Sequence, residues 1–272
     1  MKKLLLLCSL LTIHHSLFAT SDPFIGSARS LALGGSTLTL SDPYSILNNQ
    51  AAMAFQKNLS FSLFAEQRYL ESELGYYAGG LTLPVKNGAF GLVINYDGFD
   101  LFNEKKIGIS YARLFSKNVS GGIQFDYLST SISEYGTSST FTAELGLLAK
   151  VTDQFSIAAH VFNPFAVSSG FVDDKVPTTF QLGLSYEPSK KVFLSAEAAK
   201  DIDNPAQLRV GVEYRVVDAL YLRGGIGTNP SRYSFGAGIN MKNLKIDLAA
   251  AYHQVLGVTP AISLSYVFEK KK

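Results

Sequence analysis

Ala261-Ile-Ser-Leu-Ser-Tyr-Val-Phe268 alternates strictly and sets Ile262, Leu264, Tyr266 and Phe268 on one face of an extended chain. Successive side chains of a β-strand point to opposite faces, so one side of this stretch is apolar and the other small or polar. With lipid outside and a polar lumen inside, a transmembrane β-barrel needs that pattern in every strand.

Working back from this end, turn chemistry cuts the chain into fourteen similar pieces: 58–69, 74–85, 89–97, 104–115, 119–132, 139–151, 155–165, 179–187, 192–200, 207–216, 220–228, 233–241, 245–253 and 261–268. A tilted membrane strand needs about 9–11 residues, whereas strands of ordinary globular domains average about five or six. Connections alternate between tight turns, such as Lys86-Asn87-Gly88, Val217-Asp218-Ala219 and Lys242-Asn243-Leu244, and longer segments. The longer ones are Gly98–Asn103, Glu134–Ser138, Ala166–Thr178, Asp201–Ala206, Asn229–Arg232 and Gln254–Pro260, with a brief one at Leu70–Glu73. Outer-membrane barrels show this asymmetry, with tight turns on the periplasmic side. An even strand number then puts both termini on that side.

Charges keep to one face. In 207–216, Leu208, Val210, Val212 and Tyr214 alternate with Arg209, Gly211, Glu213 and Arg215. In 119–129, Val119, Ile123, Phe125 and Tyr127 face lipid while Gln124 and Asp126 face inward. A basic residue on the lipid face near the midplane costs about 2–4 kcal/mol, so this segregation argues for a membrane wall. Tyr96, Phe115, Phe155, Tyr214 and Tyr266 fall at strand ends, as an aromatic girdle requires. A secreted sandwich or soluble barrel would alternate too, but with shorter strands and without two classes of connection. The expected fold is all-β: a transmembrane antiparallel β-barrel of about 14 strands.

At the other end, residues 1–19 read as a signal peptide, with Lys2-Lys3, the apolar run Leu4–Ile13 and a cut after Ala19. Cys8 raises the alternative of a lipoprotein signal, although the apolar run before it is short. Cleavage after Ala19 removes this single cysteine and with it disulfides and thiol chemistry. The chain carries 24 basic and 22 acidic residues, and without Lys2 and Lys3 the two counts are equal. Such a balance has no footprint for nucleic acid, and only Lys270–Lys272 forms a run of like charge. The uncharged stretch Gln154–Val172 is interrupted by Asn163-Pro164 and Ser168-Ser169-Gly170, so it makes a poor membrane helix.

Residues 20–57 do not alternate. Gly34-Gly35 is a break, and Ser45–Phe55 is predicted as a short helix. A barrel of about fourteen strands is wider than its own side chains can fill, so this segment is expected inside it as a hatch or plug. The predicted organisation is a signal peptide at 1–19, a hatch at 20–57, a barrel at 58–268 and a periplasmic tail at 269–272.

Ser27–Gly35, then Ser41-Asp42, then Asn49-Gln-Ala-Ala-Met-Ala54, resembles the amino-terminal signature of the PorV/PorQ family, which is related to the long-chain fatty-acid outer-membrane transporters. The closing stretch Asp247–Phe268 is similar to that family's last hairpin. Gln50 and Ala52 stand where the family usually has Pro and Gly, and the outer loops are small for the fatty-acid transporters. On this resemblance the hatch-motif residues are Arg29, Gly34, Gly35, Asp42, Asn49 and Ala51. The resemblance implies an outer membrane of Bacteroidetes type. It implies an accessory or docking role in type IX secretion or surface assembly, or a passive route for small hydrophobic molecules. The implied partners are outer-membrane lipid and either secretion-system proteins or a small hydrophobic ligand, with no cofactor.

No catalytic or metal-binding motif is legible. His160 and His253 are both expected in the lumen near the outer rim, and a hydrolase would need one of them beside a Ser and a carboxylate. The Gly pairs 79–80, 121–122 and 224–225 are read as relief of crowding within strands. Glu197, Arg209, Glu213, Arg215 and Arg223 are expected to share one lumen wall, with Glu66, Asp126, Glu144 and Asp247 elsewhere inside and Arg29 pairing one of the acids. Such a ladder either ties the wall to the hatch or sets the selectivity of a pore. Phe171, Val172, Asp173 and Asp174 in the longest loop are candidate partner contacts, and Phe24 and Ile25 are candidate anchors of the hatch.

Overall fold

The computed structural model describes residues 25–168 and 176–269. Fourteen antiparallel strands close into one barrel: β1 (Ser60–Gln67), β2 (Gly75–Val85), β3 (Gly88–Phe99), β4 (Phe102–Leu114), β5 (Val119–Ile132), β6 (Gly136–Lys150), β7 (Phe155–Phe162), β8 (Thr179–Ser189), β9 (Val192–Asp201), β10 (Gln207–Val217), β11 (Leu220–Gly227), β12 (Arg232–Met241), β13 (Leu244–His253) and β14 (Gly257–Val267). Each strand pairs with its neighbours in sequence, and β1 closes on β14 from Ser60↔Val267 to Glu66↔Ala261. Among the described residues no helix is long and apolar enough to cross a membrane.

Alternation becomes geometry here. Ile109, Phe125, Leu182 and Phe235 point outward and are 63–67 % exposed, whereas Ser62, Thr82, Gln124 and Asp247 point inward and are buried. A soluble barrel would not leave such a band bare; hydrocarbon is its natural cover. Aromatic residues ring both ends of the band. Phe61, Phe90, Tyr111, Tyr186, Tyr214 and Tyr266 stand near the short-turn end; Tyr77, Tyr96, Tyr127, Phe141, Tyr233 and Tyr252 stand near the other, the loop end. Several touch across strands, as Phe90 and Tyr111 do with ring centroids 4.9 Å apart.

Some connections differ from expectation. Gly98–Asn103 and Glu134–Ser138 shrink to 100–101 and 133–135 because the strands run on, with Gly98↔Asn103 and Ser131↔Thr137 still in register. The hydroxyls of Ser131 and Thr137 meet at 3.1 Å. β14 likewise begins at Gly257 rather than at Ala261, carrying Pro260 opposite Ala250. The longest connection, 163–178, is pinned at its stem by buried Asn163, whose Nδ2 donates to the Val176 carbonyl at 2.8 Å. Its predicted contacts, Phe171 to Asp174, lie outside the described residues, as do Phe24 and the predicted signal peptide.

Residues 25–57 run inside the ring. Helix α1 (Ala28–Ala32) is capped by the Ser27 hydroxyl, which accepts from the Ser30 N–H, and ends before Gly34 and Gly35 at φ 67° and 87°. Positive φ is easy only for glycine, so the pair lets the chain leave the helix without strain. The single helix predicted over Ser45–Phe55 is instead two 3-10 turns, Pro43–Leu47 and Gln50–Phe55. Asn49 divides them: it is extended, and its Oδ1 accepts the Ala51 N–H to start the second turn.

Candidate functional site: the lumen and its inner segment

Inward glycines set how closely wall and inner segment approach. A Cβ at Gly225 would lie 2.2 Å from the Gly34 nitrogen, one at Gly122 2.7 Å from the Ala51 nitrogen, and one at Gly80 2.6 Å from Ile46 Cγ2. Their outward neighbours are different; the nearest atoms to a Cβ at Gly224 would be 3.9 Å away. The pairs 79–80, 121–122 and 224–225 therefore do more than relieve crowding within strands. In each, the inward member admits the inner segment.

Three wall glutamates hold that segment. Glu213 on β10 accepts a bidentate pair from Arg29, at 2.8 and 2.6 Å. Glu197 on β9 accepts the Thr37 and Leu38 N–H groups at 3.1 and 3.3 Å. Glu144 on β6 accepts from the Gln50 side-chain amide. Each glutamate also has a partner in the wall. Arg223 Nε donates to Glu213, Arg209 Nη1 reaches Glu197 at 3.0 Å, and Lys106 Nζ reaches Glu144 at 2.8 Å.

The motif residues gather on this frame. Arg29 also pairs Asp42 at 2.6 Å, and Asp42 Oδ1 accepts the Tyr44 N–H at 3.0 Å. Arg223 Nη1 continues to Asp247 at 2.7 Å, so charge alternates along Asp42, Arg29, Glu213, Arg223 and Asp247. Asn49 Nδ2 donates to the Leu38 carbonyl at 3.0 Å and to the Leu147 carbonyl on β6 at 3.3 Å. The Ala51 carbonyl accepts the Ser120 hydroxyl at 2.8 Å. Ile25 is buried in one cluster with Phe64, Tyr76 and Ala78. In a low-dielectric interior such charges are tolerated because each has hydrogen-bonded partners, and removing one partner costs about 3–5 kcal/mol.

Arg215 stands apart from the other four members of the expected ladder. A register shift after it, near the short-turn end, lets its guanidinium pair with Asp218 in the following turn. Glu144 is the residue that sequence reading undervalued: besides Lys106 and Gln50 it meets Gln124 Nε2 at 3.2 Å and His160 Nε2 at 3.0 Å. Its inward parity was visible, but its four partners come from β4, β5, β7 and the inner segment, which no local pattern links. The other ring nitrogen of His160 meets Gln181 Oε1 at 2.9 Å, and His253 Nδ1 accepts the Val255 and Leu256 N–H groups at 3.2 and 3.1 Å. Neither ring is bonded to both a serine and a carboxylate, as the hydrolase reading requires. No cluster of described residues has a metal-binding arrangement.

Above the inner segment the lumen is hollow. A cavity of about 780 Å³ opens toward the loop end, floored by Ile25, Ser30, Thr37, Leu38 and Leu47 and walled on one side by Tyr69, Tyr76, Phe99 and Phe102. No family model matches the chain, and no curated protein matches it. Solved structures do. The Ralstonia pickettii toluene transporter TbuX superposes with a TM-score of 0.73 at 15 % identity, covering 91 % of this chain and 100 % of that one. A Pseudomonas aeruginosa FadL homologue gives 0.69 at 14 % identity, over 91 % and 100 %. The P. putida toluene transporter TodX gives 0.69 at 12 % identity, over 92 % and 100 %. At these identities the likeness is one of fold, and the fold is that of the FadL-type outer-membrane barrels.

Proposed function

We propose that this chain is a passive transporter or carrier for small hydrophobic molecules in a bacterial outer membrane. The observation that carries it is the cavity: a part-apolar space, open at one end and floored by the inner segment, in a barrel whose fold resembles those of toluene transporters. Residues 20–57 act as a hatch that closes the short-turn half of the lumen, 58–268 form the wall, 1–19 are a removable signal peptide and 269–272 a periplasmic tail. Both termini are periplasmic, which the tight turns beside them support. The signature at Ser27–Ala54 supports a place near the PorV/PorQ group within this fold. Cavity and fold favour transport over the docking role that the resemblance also implied.

The test is uptake. Expressed in a Gram-negative host lacking its own hydrophobic-compound channels, the chain should raise the initial uptake rate of radiolabelled toluene. A rate equal to that of the empty vector would overturn the reading.

A further inference from the structure

Charges in the described strands point inward, with three exceptions. Lys105 and Arg113 on β4 share the outward parity of Ile107 and Ile109, and Lys200 on β9 shares that of Leu194. All three are basic. Two stand at the loop end and have partners within the protein. Lys105 lies 5.8 Å from the Tyr96 ring centroid, and Lys200 donates to the Ile202 and Asn204 carbonyls. Arg113 stands at the short-turn end, is exposed, and pairs with no described acid.

The backbone brings more positive charge beside it. The Leu114 N–H donates to the Asn87 carbonyl at 2.9 Å, which sets the turn carrying Lys86 against Arg113, and Lys117 lies in the turn that follows β4. Lys86 and Lys117 are exposed, and neither makes an ion pair with a described residue. Residues 79–96 and 106–125 contain no acid, so the short-turn halves of β2 to β5 offer these cations nothing to neutralise them. Elsewhere on the same rim acids do so: Arg215 pairs Asp218, and Lys242 lies 4.0 Å from Glu269.

Aromatic rings frame the patch. Phe90 and Tyr111 touch one step along the lipid face from Arg113, and Phe115 is 66 % exposed. Directly across from Arg113 stand only glycines, Gly88 and Gly121, and the Phe115 ring lies over the second, 2.7 Å from where a Cβ would be. A guanidinium on the lipid face is costly at the midplane and nearly free at the interface, where its planar fork matches a phosphate. Cations beside aromatic rings at the edge of an apolar band therefore meet lipid headgroups. A zwitterionic headgroup brings its own ammonium, so unmatched cations favour a lipid of net negative charge.

We propose that this patch is a lipid site. Arg113, assisted by Lys86 and Lys117, holds the phosphate of an anionic glycerophospholipid in the leaflet at the short-turn end. Phe90, Tyr111 and Phe115 cover the first carbons of its chains. This goes beyond the transport reading and does not rest on it.

Native mass spectrometry of the full mature chain, released from detergent with equimolar dioleoyl phosphatidylglycerol and dioleoyl phosphatidylcholine, tests it. Phosphatidylglycerol should be held about tenfold more tightly than phosphatidylcholine. Arg113→Gln should weaken phosphatidylglycerol about fivefold, the worth of one cation beside an anionic lipid, with a smaller effect on phosphatidylcholine. Lys86→Gln with Lys117→Gln should also narrow the gap, whereas Lys105→Gln at the opposite rim should leave it unchanged. Equal retention of the two lipids by the unaltered chain would overturn the proposal without any variant. A Lys105→Gln loss as large as that of Arg113→Gln would overturn it too, since charge anywhere on the barrel would then suffice.

Discussion

The two halves of the lumen treat the same kind of wall differently. Around the inner segment, inward polar groups on β6, β9 and β10 meet it, and inward glycines let its backbone touch the sheet. Toward the loop end, the inward face of β3, with Asn95, lines the open cavity instead. An alternating strand fixes which residues point inward. It does not say whether they meet protein or open lumen, since that depends on how far the inner segment reaches.

Five changes would break or sharpen that contrast. Deleting residues 21–50 should have the largest effect: the barrel still inserts, and single-channel recordings in planar bilayers show conductance rising by roughly an order of magnitude as the lumen empties. Unchanged conductance would mean that the segment does not close the pore. Glu213→Ala comes next, because it takes from Arg29 and Arg223 the acid they share and leaves them only Asp42 and Asp247. The expected loss is about 3–5 kcal/mol in the anchoring of the segment. It would be read as faster tryptic cleavage after Arg29, a residue that is 9 % exposed in the intact protein. Gly225→Leu drives a side chain into Leu33 and Gly34 and should cost about 1–3 kcal/mol by the same readout. Gly224→Leu, on the lipid face, should leave cleavage unchanged, so equal effects from the two would refute the assignment of faces. Smallest is Asn95→Leu, which removes an amide with an unmatched oxygen and should not lower the temperature at which the barrel unfolds in a gel-shift melting series.

The wall was legible in the sequence because lipid enforces the period of two along every strand, and each of the fourteen strands overlaps its predicted piece with ends displaced by at most four residues. Strand ends were less so. Gly98↔Asn103 pairing continues past the last lipid-facing residue, where water relaxes the hydrophobic pattern but not the need to pair backbone groups. Helix α1 could not be read: its five residues are buried on every side, which leaves no polar stripe to mark a period. Arg215 misled for a related reason. Its parity is inward, but a register shift near the strand end frees it to meet Asp218. The inward glycines carried a readable signal, since in each Gly pair parity alone separates the member that meets the inner segment from the one that meets lipid.

Closure through β1 and β14 joins positions at opposite ends of the wall, from Ser60↔Val267 upward. Until the final strand arrives, the sheet carries two bare edges, each a template for the wrong partner. Sealing removes both edges at once, so the pairing that encloses the inner segment is also what takes that template away.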